Sequence, residues 1–226
     1  GGCRVGVVDT DIQSPGIHVL FGLRGAELSE TLNDYLWRRC TISETAHDVT
    51  PKSRTLRPAP IPGRVFLIPS SVKASDITRV LREGYDARDL VRGLRELIDH
   101  LGLDVLMIDT HPGINEETLL SIAISHTLAV VMRPDSQDYE GTGITLEVAR
   151  QLEVANLTLI VNKAPPAVDT AALRARVEHT YGCPVAAVVP HSDELMALAS
   201  DDLFALRFPD HPVTNLYRQI ADRLMA

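Results

Sequence analysis

Two acids flank a single threonine where the first apolar run ends, in Arg4-Val-Gly-Val-Val-Asp9-Thr10-Asp11. In extended chain, side chains two positions apart share a side. Asp9 and Asp11 therefore repel each other unless a cation or a shared water lies between them. The same residues could equally open a polar loop and cap the next helix. A third acid, Asp109, closes the run Leu-Met-Ile-Asp109 and is followed by Thr-His-Pro-Gly113. An acid so placed can hold Mg²⁺ through water, and a glycine shortly after it lets backbone N–H groups approach a terminal phosphate. The alternative is an N-cap turn leading into a helix from about residue 116.

Two further strand ends carry polar residues. Asn162 ends the run Leu-Ile-Val-Asn162 before Lys163-Ala164-Pro165. Its amide can both donate and accept, so it can read a base edge. A guanine reader needs an acid at position 165, where this chain has proline, and adenine is the better match. The alternative is a simple turn. In Val-Val-Pro190-His-Ser192-Asp193, Pro190 ends a run and Ser192 or Asp193 can cap the short helix beyond it.

The elements that must position these residues are legible as six apolar runs at 4–9, 64–69, 103–109, 126–132, 157–162 and 184–190. None alternates with polar residues, the pattern of strands buried on both faces of a parallel sheet. Helical periodicity falls between them at 87–101, 137–152 and 169–181, and again at 213–225. It is clearest in Leu90, Val91, Leu94, Leu97, Ile98 and Leu101. Strand and helix alternating at this length predict an α/β, doubly wound, mostly parallel sheet flanked by helices. The stretch 40–63, with Pro51, Pro58, Pro60 and Pro62, reads as a surface excursion, and residues 1–226 as a single domain.

Bulk composition narrows the function classes. The chain is 45% hydrophobic and 23% charged, and its net charge of −8 does not favour binding nucleic acid through the whole surface. No apolar stretch is long enough to span a bilayer. Three dispersed cysteines without metal-ligand spacing fit a reduced, cytoplasmic protein. Of the eight histidines, none forms a His-x-x-x-His or Cys/His cluster, which argues against a transition-metal site. His18 and five others read as surface or helix-end residues. The last helix, from Val213 through Leu224, lacks a strongly basic polar face and reads as packed on the sheet, as do Phe204, Leu206 and Phe208.

The stretches VVDTDIQSPGIHVLFGL, VLMIDTHPGIN, LIVNK and VVPHSDELMALAS resemble, in order and approximate spacing, the MinD/ParA family of deviant-Walker P-loop ATPases. The resemblance runs over essentially the whole chain, and the first two stretches are its most specific part. It implies that Asp9 and Asp11 are switch I acids, with Asp11 orienting the attacking water. It makes Asp109, with Asp9, the support for Mg²⁺, and Gly113 the switch II backbone near the γ-phosphate. Asn162, Pro190 and Asp193 fall at the adenine pocket, and His111 and His191 lie where they could touch nucleotide. The implied ligands are ATP and Mg²⁺. The implied partners are a second copy of the chain in the ATP-bound state and a protein activator or cargo adaptor.

One departure from the family is large. The Gly-rich loop that cradles the phosphates, with its lysines, should precede the Asp9 strand. No G-x-x-x-x-G-K-[ST] occurs, and lysine is found only at 52, 73 and 163. The P-loop strand and its crossover helix need roughly 30 residues. Loss of a central strand would leave unpaired strand edges, so an N-terminally truncated representation of a longer protein is expected. The 226 residues alone are not expected to bind ATP tightly. The competing reading is a scaffold or binding module that keeps the fold without hydrolysis. A phosphoacceptor receiver is excluded by the roughly 100 residues between Asp9 and Asp109. A dinucleotide oxidoreductase lacks its G-x-G-x-x-G.

Overall fold

The computed structural model describes residues 2–50 and 63–226. Pro51, Pro58, Pro60 and Pro62 of the expected surface excursion therefore lie outside the described residues. The chain forms two compact units, residues 1–118 with 200–203, and residues 119–199 with 204–226.

In the first unit, β1 (Arg4–Asp9) is followed by the short helix α1 (Leu32–Leu36), the two-residue strand β2 (His47–Asp48) and β3 (Arg64–Ile68). Two longer helices, α2 (Ala74–Glu83) and α3 (Ala87–Leu101), lead to β4 (Val105–Asp109). The sheet order is β2-β3-β1-β4, with β1 parallel to both β3 and β4 and only β2 antiparallel. Val8, Leu67 and Ile68 have no exposed surface. Burying an aliphatic side chain this completely stabilises the fold by roughly 1.5–3 kcal/mol. The helix read at 87–101 has those bounds. Asp86 caps its first turn by accepting from Arg88 N–H, and Gly102 ends it at φ 56°. Its buried stripe is Leu90, Leu94 and Leu97, with Gly93 where a Cβ would come within 2.5 Å of the Tyr35 ring.

The helix α4 (Glu116–Ile124) straddles the boundary between the units. The second unit then runs β5 (Thr127–Met132), α5 (Ser136–Gln151), β6 (Asn156–Ala164), α6 (Thr170–Tyr181) and β7 (Val185–Pro190). It closes with α7 (Asp193–Leu198), α8 (Phe204–Arg207) and α9 (Pro212–Leu224). Its sheet is parallel in the order β5-β6-β7. Met132, Leu146, Leu159, Val161, Leu173 and Val177 form its core. The final helix packs as expected, with Val213, Leu216 and Ile220 gathered against Ala187 and Val189 of β7 around Phe204.

Three expectations need correction. Burial on both faces fails for β4 and β5: Met107 is 50% exposed and Val131 58%. Among the described residues each of these strands is bonded on one side only, β4 to β1 and β5 to β6, so an apolar strand ends at an open edge. Leu206 is exposed, because the four-residue α8 turns Phe204 inward instead. His18, read as a surface or helix-end residue, lies near the start of the short 3-10 helix Ile17–Phe21 but is buried there, and that burial lowers its pKa.

Candidate active site

The carboxyl end of the first sheet brings three acids together. Asp9 and Asp109 are register partners on the parallel strands β1 and β4. Thr10 locks the two strand ends, its N–H and Oγ1 both donating to the Asp109 carbonyl at 2.9 and 2.7 Å. Ser70, just beyond β3, donates to the Asp9 carbonyl at 2.8 Å. Asp9 itself has no exposed surface. One of its carboxylate oxygens accepts the Asp11 N–H at 3.0 Å and the other the Gly16 N–H at 3.3 Å. Burial, and next the nearby Asp109, push its carboxyl up to about 6.

Asp11 lies in the turn that follows. Its Oδ1 accepts from His111 Nδ1 at 2.8 Å and from Ser14 N–H at 3.0 Å. The Asp109 carboxylate receives no hydrogen bond among the described residues, and partial desolvation and the Asp11 charge raise it above the usual carboxylate range. Asp109 is not the cap of the next helix. That role belongs to Asn115, whose Oδ1 accepts the Thr118 N–H at 2.7 Å. Gly113 sits between them at φ 98°, with nothing within 4 Å of the position a Cβ would take. The left-handed backbone, and not crowding, calls for glycine there.

The donor set suits a hard divalent cation. It is all oxygen, burial and the neighbouring carboxylates raise Asp9 and Asp109, and among the described residues no lysine or arginine is paired with any of the three. No three His, Cys, Asp or Glu side chains among the described residues converge to chelate a metal. These acids would hold Mg²⁺ chiefly through its bound water. A separate groove of about 490 Å³ in the first unit is lined by Arg38, Arg39 and Arg92. Those cations are already paired with Asp34, Asp89 and Glu96, which leaves little net field for an anion.

In the second unit, the ends of β6 and β7 lie side by side, with Ala164 opposite Pro190 and the His191 N–H bonded to the Ala164 carbonyl. Asn162 precedes a bulge in which Lys163 adopts φ 54°. The Asn162 Oδ1 accepts the Lys163 N–H at 2.9 Å, so its acceptor is engaged, and among the described residues nothing accepts from its amide N–H groups. Ser192 caps α7 by accepting from Leu195 N–H. Asp193 is the first residue of that helix, with a side chain 98% exposed and 3.3 Å from His191 Nε2.

No family model matches the sequence. The chain is 24% identical over 225 residues to an uncharacterized ATP-binding protein of Methanocaldococcus jannaschii, covering 99% of this chain and 77% of that one. A structure of the septum site-determining protein MinD from Pyrococcus horikoshii, complexed with Mg-ADP, superposes with a TM-score of 0.76. Identity is 17%, and the match covers 98% of this chain and 83% of that one. A ParA family ATPase from Chlorobium tepidum superposes with a TM-score of 0.68, at 17% identity over 98% and 85% of the two chains. The fold is that of MinD and ParA.

On the MinD/ParA fold the three acids of the first unit stand at the ends of adjacent strands, as strand alternation alone could not have shown. Sequence reasoning missed the engagement of His111 with Asp11, the tie from Ser70 and the capping role of Asn115. The Asp11–His111 pair spans 100 positions and leaves no local pattern. The Asn115 cap did have a signal, an Asn three residues before Thr118 at the start of a helix.

Proposed function

We propose that the protein binds Mg-ATP and hydrolyses it slowly, as a MinD/ParA-type switch. The single observation that carries this reading is the cluster of Asp9, Asp11 and Asp109 at one sheet end, with the left-handed Gly113 in the same loop as Asp109. Asp11 orients the attacking water. The water oxygen bonds to the γ-phosphorus, the bond to the bridging oxygen breaks with its electron pair leaving on ADP, and the proton ends on the released phosphate. Asp109 and Asp9 supply the negative charge that holds Mg²⁺, which when bound neutralises charge on the phosphates. Gly113 offers its backbone N–H toward the terminal phosphate. For adenine the proposed residues are Asn162, Pro190 and Asp193 of the second unit, with the Asn162 amide as donor.

In the ATP state two copies pair, and a protein activator or cargo adaptor reads the pair, in the cytoplasm. Among the described residues no helix is long and apolar enough to cross a membrane.

A second reading is a scaffold that keeps the fold without turnover. Phosphate release by the full-length protein with Mg-ATP separates the two. Slow release that depends on Asp11 supports the switch, and release at the buffer background supports the scaffold.

A further inference from the structure

Water orientation asks more of Asp11 than its presence. A carboxylate at the end of two single bonds rotates broadly about the second of them, and a freely turning group cannot hold a water at one angle. The bonding of Asp11 is lopsided. Both hydrogen bonds to its carboxylate, from His111 Nδ1 at 2.8 Å and Ser14 N–H at 3.0 Å, fall on Oδ1. Oδ2 receives none among the described residues, and the side chain is 15% exposed. One oxygen is thus a fixed pivot and the other a vacant acceptor.

The donor is itself held. The His111 carbonyl accepts from Thr118 Oγ1 at 3.2 Å, in the first turn of α4, and the Asp11 N–H is tied to Asp9 at 3.0 Å. A carboxylate can only accept, so the hydrogen of this contact sits on Nδ1. The contact joins the loop after β1 to the loop after β4, 100 positions apart in sequence. A tie that merely stapled the loops could have used either carboxylate oxygen and any donor. Two donors on one oxygen leave the other free in a defined direction.

We propose that His111 is a positioning residue for hydrolysis, which fixes Asp11 through Oδ1 so that Oδ2 presents to the attacking water. This rests on the hydrolytic reading above. The donor nitrogen of asparagine stands at the same bond count from Cβ as Nδ1, whereas that of glutamine stands one bond farther, where Nε2 lies. The side chains His111→Asn and His111→Gln therefore separate the positioning role from bulk and polarity.

The test uses the full-length protein. Long-range ¹H–¹⁵N spectra of the nucleotide-free protein are expected to place the His111 proton on Nδ1, and Asp11→Ala to release that preference. With Mg-ATP, His111→Ala and His111→Gln should lower kcat on the order of 10–100-fold while nucleotide affinity by calorimetry changes less than about twofold. His111→Asn should stay within about threefold of wild type. In the Asp11→Ala background, His111→Ala should cost nothing further, because both act on one water. Equal turnover in the Ala, Gln and Asn variants, or a bare Nδ1, overturns the positioning role while leaving wild-type hydrolysis intact. Absence of wild-type turnover itself overturns both the role and the reading it rests on.

Discussion

The two sheet ends are built differently. At the ends of β1 and β4, Asp9 is fully buried, both its oxygens are bonded to backbone, and Thr10 and Ser70 clamp the strand ends around it. At the ends of β6 and β7, Asp193 is almost fully exposed, and among the described residues the Asn162 side chain is tied only to the N–H of its own neighbour. The acid end is preorganised before any ligand arrives, at the expense of crowding carboxylates in a partly desolvated place. The other end leaves its donors free for a ligand to complete. Catalytic groups must be fixed in advance because reorganisation during reaction adds to the barrier. A recognition edge can be completed on binding. The contrast is what a hydrolytic centre and a base-recognition edge would each require.

That contrast can be broken at several points, beginning with the largest effect. Asp11→Ala in the full-length protein should lower turnover on the order of 100-fold or more while Mg-ATP still binds; unchanged phosphate release would remove Asp11 from the chemistry. Asn162→Asp keeps the acceptor that holds Lys163 and replaces the donating nitrogen with a charged oxygen. It should weaken ATP binding about tenfold or more, roughly 1.4 kcal/mol, with kcat at saturation little changed. Calorimetry showing wild-type affinity would take Asn162 out of the base edge. Gly113→Ala forces a side chain into φ 98° and should cost about 1–2 kcal/mol in urea unfolding. A variant as stable as wild type would mean that the loop relaxes to another conformation.

The smallest effect is the titration of Asp9. Its folded carboxyl is raised to about 6 from an ordinary 3.8, so the native state holds a proton that the unfolded chain has released. The stability this contributes is complete below about pH 4 and lost as pH rises through 6. Relative to Asp9→Asn, the magnesium-free wild type should gain on the order of 1 kcal/mol when taken from pH 7 to pH 5. Mg²⁺ favours the ionised form and should shrink that gain. A carboxyl carbon signal for Asp9 titrating near 4 would show that the site is wetter than its burial indicates.

Much of the fold was written locally. The apolar runs and the stripe Leu90, Leu94, Leu97 carry their own periodicity, so β1 and α3 are found with their bounds unchanged. What the sequence could not show was pairing. Val105–Asp109 has the composition of a strand buried on both sides, yet among the described residues it bonds to β1 alone, and Met107 is left exposed. Burial of a strand depends on its neighbours, and those are not encoded in its own five residues. The acids of the site were legible as types at strand ends, and the resemblance supplied their roles. The hydrogen bonds that give those acids different environments were not legible. Asp9 and Asp11 look equivalent as letters, but one is held by backbone donors alone and the other by His111 as well as the Ser14 N–H.

The measurement that bears most directly on the central claim is a calorimetric titration of the full-length protein with Mg-ATP, beside its Asn162→Asp variant in the same buffer. Saturable binding by the wild type, and about tenfold weaker binding by the variant, is the predicted result. No binding by either would contradict the ATPase account and leave the acids without a nucleotide to act on.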